Sequence, residues 1–339
     1  MPFEFSTYPQ THNKALSMDL SILIVTYNSA RLVGPLLYRL QTQLQDLNAE
    51  VVVVDNASKD DTVAVIRNEH PWVTLVASSV NLGFAAGNNL AAQHASGTNL
   101  LLLNPDAVPH EGALKRGLEL IASHERVGLA GGELRGPDNS RQPSARMFPR
   151  LRDELFTLSG MAARFPKSPF WARLDRGWAD PEQAALVDWI PGAFVLIPAS
   201  VFRLMGGFDE RFFMYYEEVD LCRRMARAGY SVWYWPELKA MHIGGESAKT
   251  VDQARISKSG SQLESWRMRS AMLYYRKQHG WLGVLGLLGV EWSWVKLRQF
   301  KAWLTGQKAN AQDFSVHADQ LTQAWRDTSG GTVSPARPW

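Results

Sequence analysis

Residues 99–106 read Asn99-Leu100-Leu101-Leu102-Leu103-Asn104-Pro105-Asp106, an unbroken apolar run that stops at a carboxylate. Four leucines bounded by polar residues suit a strand covered on both faces, and Pro105 lacks the N–H that would continue a ladder. The strand therefore ends here and leaves Asp106 at the carboxyl edge, where open α/β sheets bind ligands. Asn-Pro followed by Asp is also ordinary turn chemistry, so the triplet takes its meaning from its surroundings.

Those surroundings alternate strand and helix signals. Residues 20–27 are β-rich, and residues 30–43 carry helix-spaced Leu32, Leu36, Leu37 and Leu40. Four valines then run to Asp55. Ser58 reads as the cap of a helix through Asn68, with Asp60 and Asp61 at its positive end. Residues 73–77 form a third strand signal and residues 85–94 a helix leading into the leucine run. Such repetition predicts a parallel sheet with right-handed crossovers. Neither GxGxxG nor GxxxxGK[ST] follows the first strand, which excludes the usual dinucleotide and triphosphate loops.

After Ser123 the pattern loosens. Residues 136–186, rich in Pro, Arg and aromatics, are predicted as loop and helix packed over the site. Order returns at 187–197, followed by a helix from about Ala199, a helix over 217–228 and a strand over 231–235.

At 339 residues, 45% hydrophobic and 20% charged, the chain can bury one large core or two modest ones. Its single cysteine, Cys222, excludes an internal disulfide and predicts a small buried apolar residue in a reducing compartment. Residues 1–18 lack the apolar segment of a signal peptide and are expected to be a flexible leader. The longest apolar stretch, 281–290 extended by Trp292, Trp294 and Val295, is interrupted by Glu291. About 15 residues of helix cover roughly 22 Å, short of the ~30 Å hydrocarbon thickness, so no membrane span is predicted.

Charge is uneven. Residues 251–310 hold ten Lys/Arg against three carboxylates, a net of +7, which leaves the remainder at −4. With Trp281, Trp292, Trp294 and Trp303 interleaved, this segment suits either an anionic membrane surface or a helical pair packed on the main domain. On a helical projection Glu291, Arg298 and Lys301 share one side, while Lys296 falls among the aromatics, where its stem can snorkel. No nucleic-acid motif accompanies the charge, so nucleic acid is not expected as a partner.

Five signals stand in order. They are Ile24-Val25-Thr26-Tyr27-Asn28; Val53-Val54-Asp55-Asn56-Ala57-Ser58; Asn81-Leu82-Gly83-Phe84-Ala85-Ala86-Gly87-Asn88-Asn89; Asn104-Pro105-Asp106; and Gly207-Phe208-Asp209-Glu210 continuing to Tyr216-Glu217-Glu218-Val219-Asp220. Over about residues 19–250 the set resembles the inverting glycosyltransferases of family 2, and especially their rhamnosyltransferase-like branch. The resemblance implies an α/β GT-A fold, a mostly parallel, Rossmann-like sheet flanked by helices with a helical C-terminal extension. The corresponding layout is a leader (1–18), a GT-A domain (19–250) with a donor half (19–131) and an acceptor and catalytic half (132–250), a basic Trp-rich helical extension (251–310) and a tail (311–339).

It also implies roles. Asp55 matches the carboxylate that accepts a hydrogen bond from the pyrimidine, and Thr26 and Tyr27 match the loop beside the nucleotide. Asn81, Gly83, Gly87 and Asn89 match the segment approaching the donor. Asn104 and Asp106 occupy the place of the family's Asp-x-Asp, with Asn replacing the first Asp, and oxygen ligands there suit Mg²⁺ or Mn²⁺. His242, in Met241-His242-Ile243-Gly244-Gly245-Glu246-Ser247, matches a further metal ligand of some relatives. Trp189 and Gly192 resemble the loop bordering the acceptor, beside Glu217. Glu218 takes the position of the catalytic base, while Asp220 can pair with Arg223 or Arg224 on a helix face.

The expected activity is inverting, metal-dependent sugar transfer in cell-surface polysaccharide biosynthesis. The expected donor is a nucleotide sugar, dTDP-L-rhamnose first and a UDP-sugar as the alternative, and the acceptor a glycan or lipid-linked glycan. The expected place is cytoplasmic, with peripheral attachment to the cytoplasmic face of the inner membrane. Two other classes compete. A sugar-1-phosphate nucleotidyltransferase wants a Gly-rich basic loop near the N-terminus, yet residues 20–34 contain only Arg31 and one Gly. A non-catalytic nucleotide-sugar-binding scaffold differs by releasing no nucleotide when mixed with donor, acceptor and Mn²⁺.

Overall fold

The computed structural model describes residues 18–244, 262–305 and 308–336. The residues of the expected leader before Met18, and Gly245 to Ser247 of the His242 motif, lie outside these.

The strand-helix alternation is realised as β1 (Leu20–Thr26), α1 (Ala30–Gln43), β2 (Ala49–Asn56), α2 (Thr62–Glu69), β3 (Thr74–Ser78), α3 (Gly83–Gln93) and β4 (Asn99–Leu103). These strands lie parallel in the order β3-β2-β1-β4. The leucine run is covered on both faces, as its composition requires. Leu100 and Leu102 enter one core with Leu23, Val52 and Val54, whereas Leu101 and Leu103 enter the other with Ile22, Ile24, Val51 and Val53. Each fully buried leucine contributes about 1.5–3 kcal/mol, which fixes the strand's place at the centre of the sheet.

Beyond β4 the sheet becomes mixed. It continues through β9 (Phe194–Pro198), β6 (Val127–Arg135), β10 (Ser231–His242) and β5 (Ala107–Pro109), with the two-residue strands β7 (Arg141–Gln142) and β8 (Ala185–Leu186) at its margin. β9 runs antiparallel to both β4 and β6. Within the stretch 187–197, only Phe194 onward is strand. The final strand is longer than its periodicity suggests, reaching His242, because its pairing with β6 slips between Tyr234 and Lys239 and then resumes. Gly132 permits the slip, since a Cβ there would lie 1.7 Å from the Leu238 carbonyl oxygen.

The helices α4 (Ala113–Ser123), α5 (Leu151–Leu158), α6 (Met161–Arg164), α7 (Ala199–Leu204) and α8 (Glu217–Arg227) follow in chain order. Ser58 does not cap α2. The helix starts at Thr62, whose N–H is accepted by Asp60, and Ser58 turns back to Asp55 instead.

The C-terminal segment forms α9 (Gln262–Leu304), broken at Gly280 (φ 66°), and α10 (Lys308–Asp327). The first half of α9 enters the main core through Trp266, Met268, Met272, Tyr274 and Tyr275. Glu291 does not share an outer polar side with Arg298 and Lys301. It is buried, 3.0 Å from His317 of α10 and 4.0 Å from Arg267. The outward side of the second half carries Leu282, Leu285, Phe300 and Trp303 exposed, with Lys296 near the Trp292 ring. Among the described residues no helix is long and apolar enough to cross a membrane.

Candidate active site

The carboxyl ends of β1, β2 and β4 open onto a cavity of about 300 Å³. Register places the parts. Thr26 pairs with Asp55 across β1 and β2, and Leu103 lies beside Ile24, so the Asn104-Pro105-Asp106 turn emerges next to Val25 and Thr26. The antiparallel pairing of β5 with β10 sets His242 opposite Ala107, one residue from Asp106.

His242 Nε2 lies 3.5 Å from Asp106 Oδ1 and 3.5 Å from Asn104 Nδ2. Its other ring nitrogen, Nδ1, is 2.7 Å from Gln142 Oε1, so Nδ1 is the protonated nitrogen and Nε2 keeps a lone pair toward Asp106. Gln142 also donates to the His242 carbonyl, fixing the strand end from both sides. Burial pushes the imidazole pKa below its ordinary value, opposed by the Asp106 charge. Asp106 Oδ2 accepts the Gly244 N–H at 3.0 Å, which leaves Oδ1 as the oxygen facing the histidine. The Asp106 carboxylate beside a neutral imidazole, with the Asn104 amide at the same distance from the histidine, is a donor set that fits a hard divalent cation. Among the described residues no cluster of three His, Cys, Asp or Glu side chains forms, so Asp106 and His242 stand with Asn104 alone.

Thr26, Tyr27, Asn81 and Gly83 line the cavity. Asp55 does not reach it. Buried behind Thr26, its Oδ1 accepts the Thr26 hydroxyl at 2.9 Å and the Ser58 hydroxyl at 2.5 Å, while Oδ2 accepts the Ser58 N–H. Asp55 thus braces the rim rather than presenting a free carboxylate. Gly87 and Asn89 are likewise set back. Gly87 packs on Val25 and Asn56, and Asn89 exchanges hydrogen bonds with the Phe208 backbone, tying α3 to the Gly207–Phe208 turn. Gly83 touches the wall because only glycine fits: at φ +82°, an added Cβ would meet the Phe213 carbonyl at 2.3 Å.

Gly192, Glu217 and Glu218 also line the cavity. Trp189 does not join them. Its indole is buried, donates Nε1–H to the Met147 carbonyl and lies under the Arg146 guanidinium at 4.6 Å, so it offers no free face to a sugar ring. The main chain enters α8 through Tyr215 (φ 70°) and Tyr216 (φ 67°), a left-handed pair that non-glycine residues rarely adopt. This entry lets both glutamates face the cavity, although successive helical side chains normally diverge. Burial raises the Glu217 carboxyl well above the carboxylate range, and the Glu218 charge adds to the shift. Burial pushes Glu218 up to about 6, opposed by hydrogen bonds from backbone N–H groups, that of Gly192 among them, and by the Arg146 charge. Asp220 is withdrawn. It is fully buried and held by Arg224 at 2.9 Å and by Lys277 and Gln278 of α9.

Several wall residues carry no sequence signal. Phe213 and Tyr215 line the cavity, as do Gln262, Leu263 and Trp266 from α9. Trp266 stacks near Phe213 with ring centroids 4.4 Å apart, and Ser270 donates to the Met214 carbonyl, so α9 forms part of the site.

Comparison with known proteins gives a consistent picture. The sequence model described as Glycosyl transferase family 2 matches residues 21–172. The chain is 31% identical over 238 residues to N-acetylglucosaminyl-diphospho-decaprenol L-rhamnosyltransferase of Mycobacterium tuberculosis, covering 66% of this chain and 75% of that one. It is 28% identical over 268 residues to rhamnosyltransferase WbbL of Escherichia coli, covering 76% and 92%. Its fold resembles the mannosyltransferase PcManGT of Pyrobaculum calidifontis, solved with GDP-Man and Mn²⁺, at a TM-score of 0.52 and 17% identity, over 93% of this chain and 88% of that one. On the family match and the mycobacterial relative, the chain is a glycosyltransferase and belongs to glycosyl transferase family 2.

Proposed function

We propose that the protein transfers L-rhamnose from dTDP-L-rhamnose to a lipid-linked glycan with inversion at the anomeric carbon, in the synthesis of a cell-surface polysaccharide. The observation that carries this reading is the cavity itself, which Asp106, His242 and Asn104 line together with the Glu217–Glu218 pair. L-Rhamnosyl transfer to a diphospho-decaprenol-linked sugar is what the mycobacterial relative is named for, and rhamnosyl transfer is what the Escherichia coli relative is named for, which supports the same donor sugar and acceptor class here.

An acceptor hydroxyl gives its proton to Glu218 as its oxygen bonds to the anomeric carbon. The bond from that carbon to the diphosphate oxygen breaks, and its electron pair leaves on the nucleoside diphosphate. Attack from the face opposite the leaving group inverts the centre. Asp106 and His242, with Asn104 beside them, would hold a Mg²⁺ or Mn²⁺ ion, which when bound would supply charge neutralisation for the departing diphosphate. Thr26 and Tyr27 border the nucleotide, with Asp55 and Ser58 bracing them, while Asn81 and Gly83 border the sugar. Gly192 leaves room for the acceptor beside Glu217.

The acceptor's lipid would hold the enzyme's work to a membrane face. The exposed side of the second half of α9, with Leu282, Phe300 and Trp303 beside Lys296, supports peripheral attachment to the anionic cytoplasmic surface of the inner membrane.

A mass-spectrometric screen of the full chain with Mn²⁺ or Mg²⁺ across UDP-, dTDP- and GDP-sugars tests the donor. Preferential binding and slow hydrolysis of dTDP-L-rhamnose is the expected result. Selective use of a UDP-hexose with dTDP-L-rhamnose ignored would overturn it.

A further inference from the structure

We propose that residues 151–171, which comprise α5, α6 and the loop that follows, are a second membrane-contacting arm of the protein, with an anionic lipid surface as partner. The proposal adds a surface outside α9 and rests on the membrane-facing reading of that helix in naming lipid as the occupant.

Residues 155–174 contain no Asp or Glu, while Arg164, Lys167 and Arg173 fall among Phe156, Phe165, Phe170 and Trp171. The aromatics form one cluster: the ring centroids of Phe156 and Trp171 are 4.4 Å apart, and Phe170 lies 5.2 Å from the first and 4.9 Å from the second. Yet Phe165 and Phe170 remain 41% and 50% exposed. Rings left half outside forgo much of the gain of burial, so a cluster that turns two of its members outward marks a contact surface. The loop presenting them is braced. The Ser168 hydroxyl oxygen accepts the N–H groups of Phe170 and Trp171 at 3.3 Å each, and the Ser168 N–H is donated to the Phe165 carbonyl at 3.0 Å. Gly177 lies against the same loop, where an added Cβ would meet the Pro166 carbonyl at 2.2 Å. Rings fixed outward in advance lose less entropy on contact.

Charge complementarity selects the partner. Arg152 lies over the Phe170 ring at 5.3 Å and Arg164 over the Phe165 ring at 5.8 Å, with Lys167 exposed between the two phenylalanines. The carboxylates of α5 turn inward. Asp153 is buried between Arg173 at 3.0 Å and Arg152 at 3.8 Å, and Glu154 is buried and accepts the Tyr216 hydroxyl. What faces outward is cationic and aromatic, the composition that settles in the headgroup layer of an anionic bilayer. The surface also adjoins α9. Leu151 packs over Gly286, where a Cβ would lie 2.5 Å from Leu151 Cδ1; Leu155, one turn further along α5, and Leu285, next to Gly286, are both exposed. A second copy of the chain is the poorer occupant, because a symmetric contact would set these cations against their own counterparts.

The test places an environment-sensitive nitrobenzoxadiazole dye on Ala163→Cys in the full chain, at an exposed position of α6; the native Cys222 is buried. Vesicles are phosphatidylcholine alone, or equal parts phosphatidylcholine and phosphatidylglycerol. The dye is expected to brighten and shift to the blue with the anionic vesicles and to stay unchanged with the neutral ones. In flotation, F165S/F170S and R152Q/R164Q/K167Q are each expected to bind anionic vesicles about tenfold more weakly or less, with melting temperatures near that of the wild type. If the dye is silent while the protein floats, α9 makes the contact alone: the proposal is overturned and the membrane reading of α9 stands. A dye response to protein concentration without lipid identifies a second copy as the occupant and overturns the proposal too. An equal response to both vesicles overturns the choice of an anionic surface. No flotation with either vesicle overturns the proposal together with the reading of α9. Should either multiple variant fail to fold, the dye measurement decides, since it leaves the aromatic cluster and its cations intact.

Discussion

Asp106 shows how much one residue's surroundings add to its identity. Its place at the end of a buried strand was legible because four leucines must be buried and a proline must end the ladder. What the local sequence could not display was Gln142, which sets the tautomer of His242 from a short strand a hundred positions earlier. Asp106→Asn keeps the Gly244 hydrogen bond and the fold but removes the one carboxylate beside His242 among the described residues. Metal neutralisation of a leaving diphosphate is worth several kcal/mol, so turnover is expected to fall by at least 10²-fold with an unchanged melting temperature. Wild-type, metal-dependent transfer by this variant would place the cation elsewhere. Glu218 carries a second prediction at this scale. Its carboxyl, pushed up to about 6 by burial, acts as a base only when deprotonated, so transfer is expected to rise with pH through about 6 and level off above it. A rate that is flat from pH 5 to 8 would exclude Glu218 as the group that titrates.

At the scale of elements, the first four strands and the helices between them follow from local pattern, because period and burial agree within each segment. The misread elements are those set by distant partners. Ser58 has the chemistry of a helix cap, but Asp55 competes for its hydroxyl and wins with a second bond to the same serine. Trp189 has the look of a sugar platform, yet Met147 and Arg146 take both its N–H and its face. β10 outlasts its alternating pattern because β6 resumes pairing after an irregularity, and that extension brings His242 beside Asp106. The join between α3 and the Phe213 loop is similarly non-local. Gly83→Ala places a Cβ against the Phe213 carbonyl at a left-handed φ, which is expected to cost about 1–3 kcal/mol and to weaken donor binding. Calorimetric melting and donor titration read the two effects, and a variant with wild-type values for both would show that the contact relaxes freely.

For the whole molecule, the striking division of charge along the chain resolves into one helical pair with two jobs. The first half of α9 helps wall the cavity and is clamped to the start of α8 through Lys277, Gln278 and Ser270. The second half buries one side against its neighbours and leaves an apolar stripe outward, a side that helical projection could not assign while Glu291 was counted as exposed. Replacing Leu282, Phe300 and Trp303 together by Ser is expected to reduce flotation with anionic vesicles at least tenfold, with transfer to a water-soluble acceptor kept. Equal flotation of wild type with neutral and anionic vesicles, or none with either, would leave α9 as packing alone. The central claim is that the cavity joins a metal-held sugar nucleotide to a hydroxyl deprotonated by Glu218. Its most direct measurement is transfer from dTDP-L-rhamnose to a polyprenyl-diphosphate-linked N-acetylglucosamine, with the donor dissociation constant followed in parallel, for wild type and Glu218→Gln. The account predicts one rhamnose added by the wild type, and in the variant a rate lower by ~10²–10⁴ with donor affinity within a few-fold of wild type. A variant that transfers at the wild-type rate would contradict it.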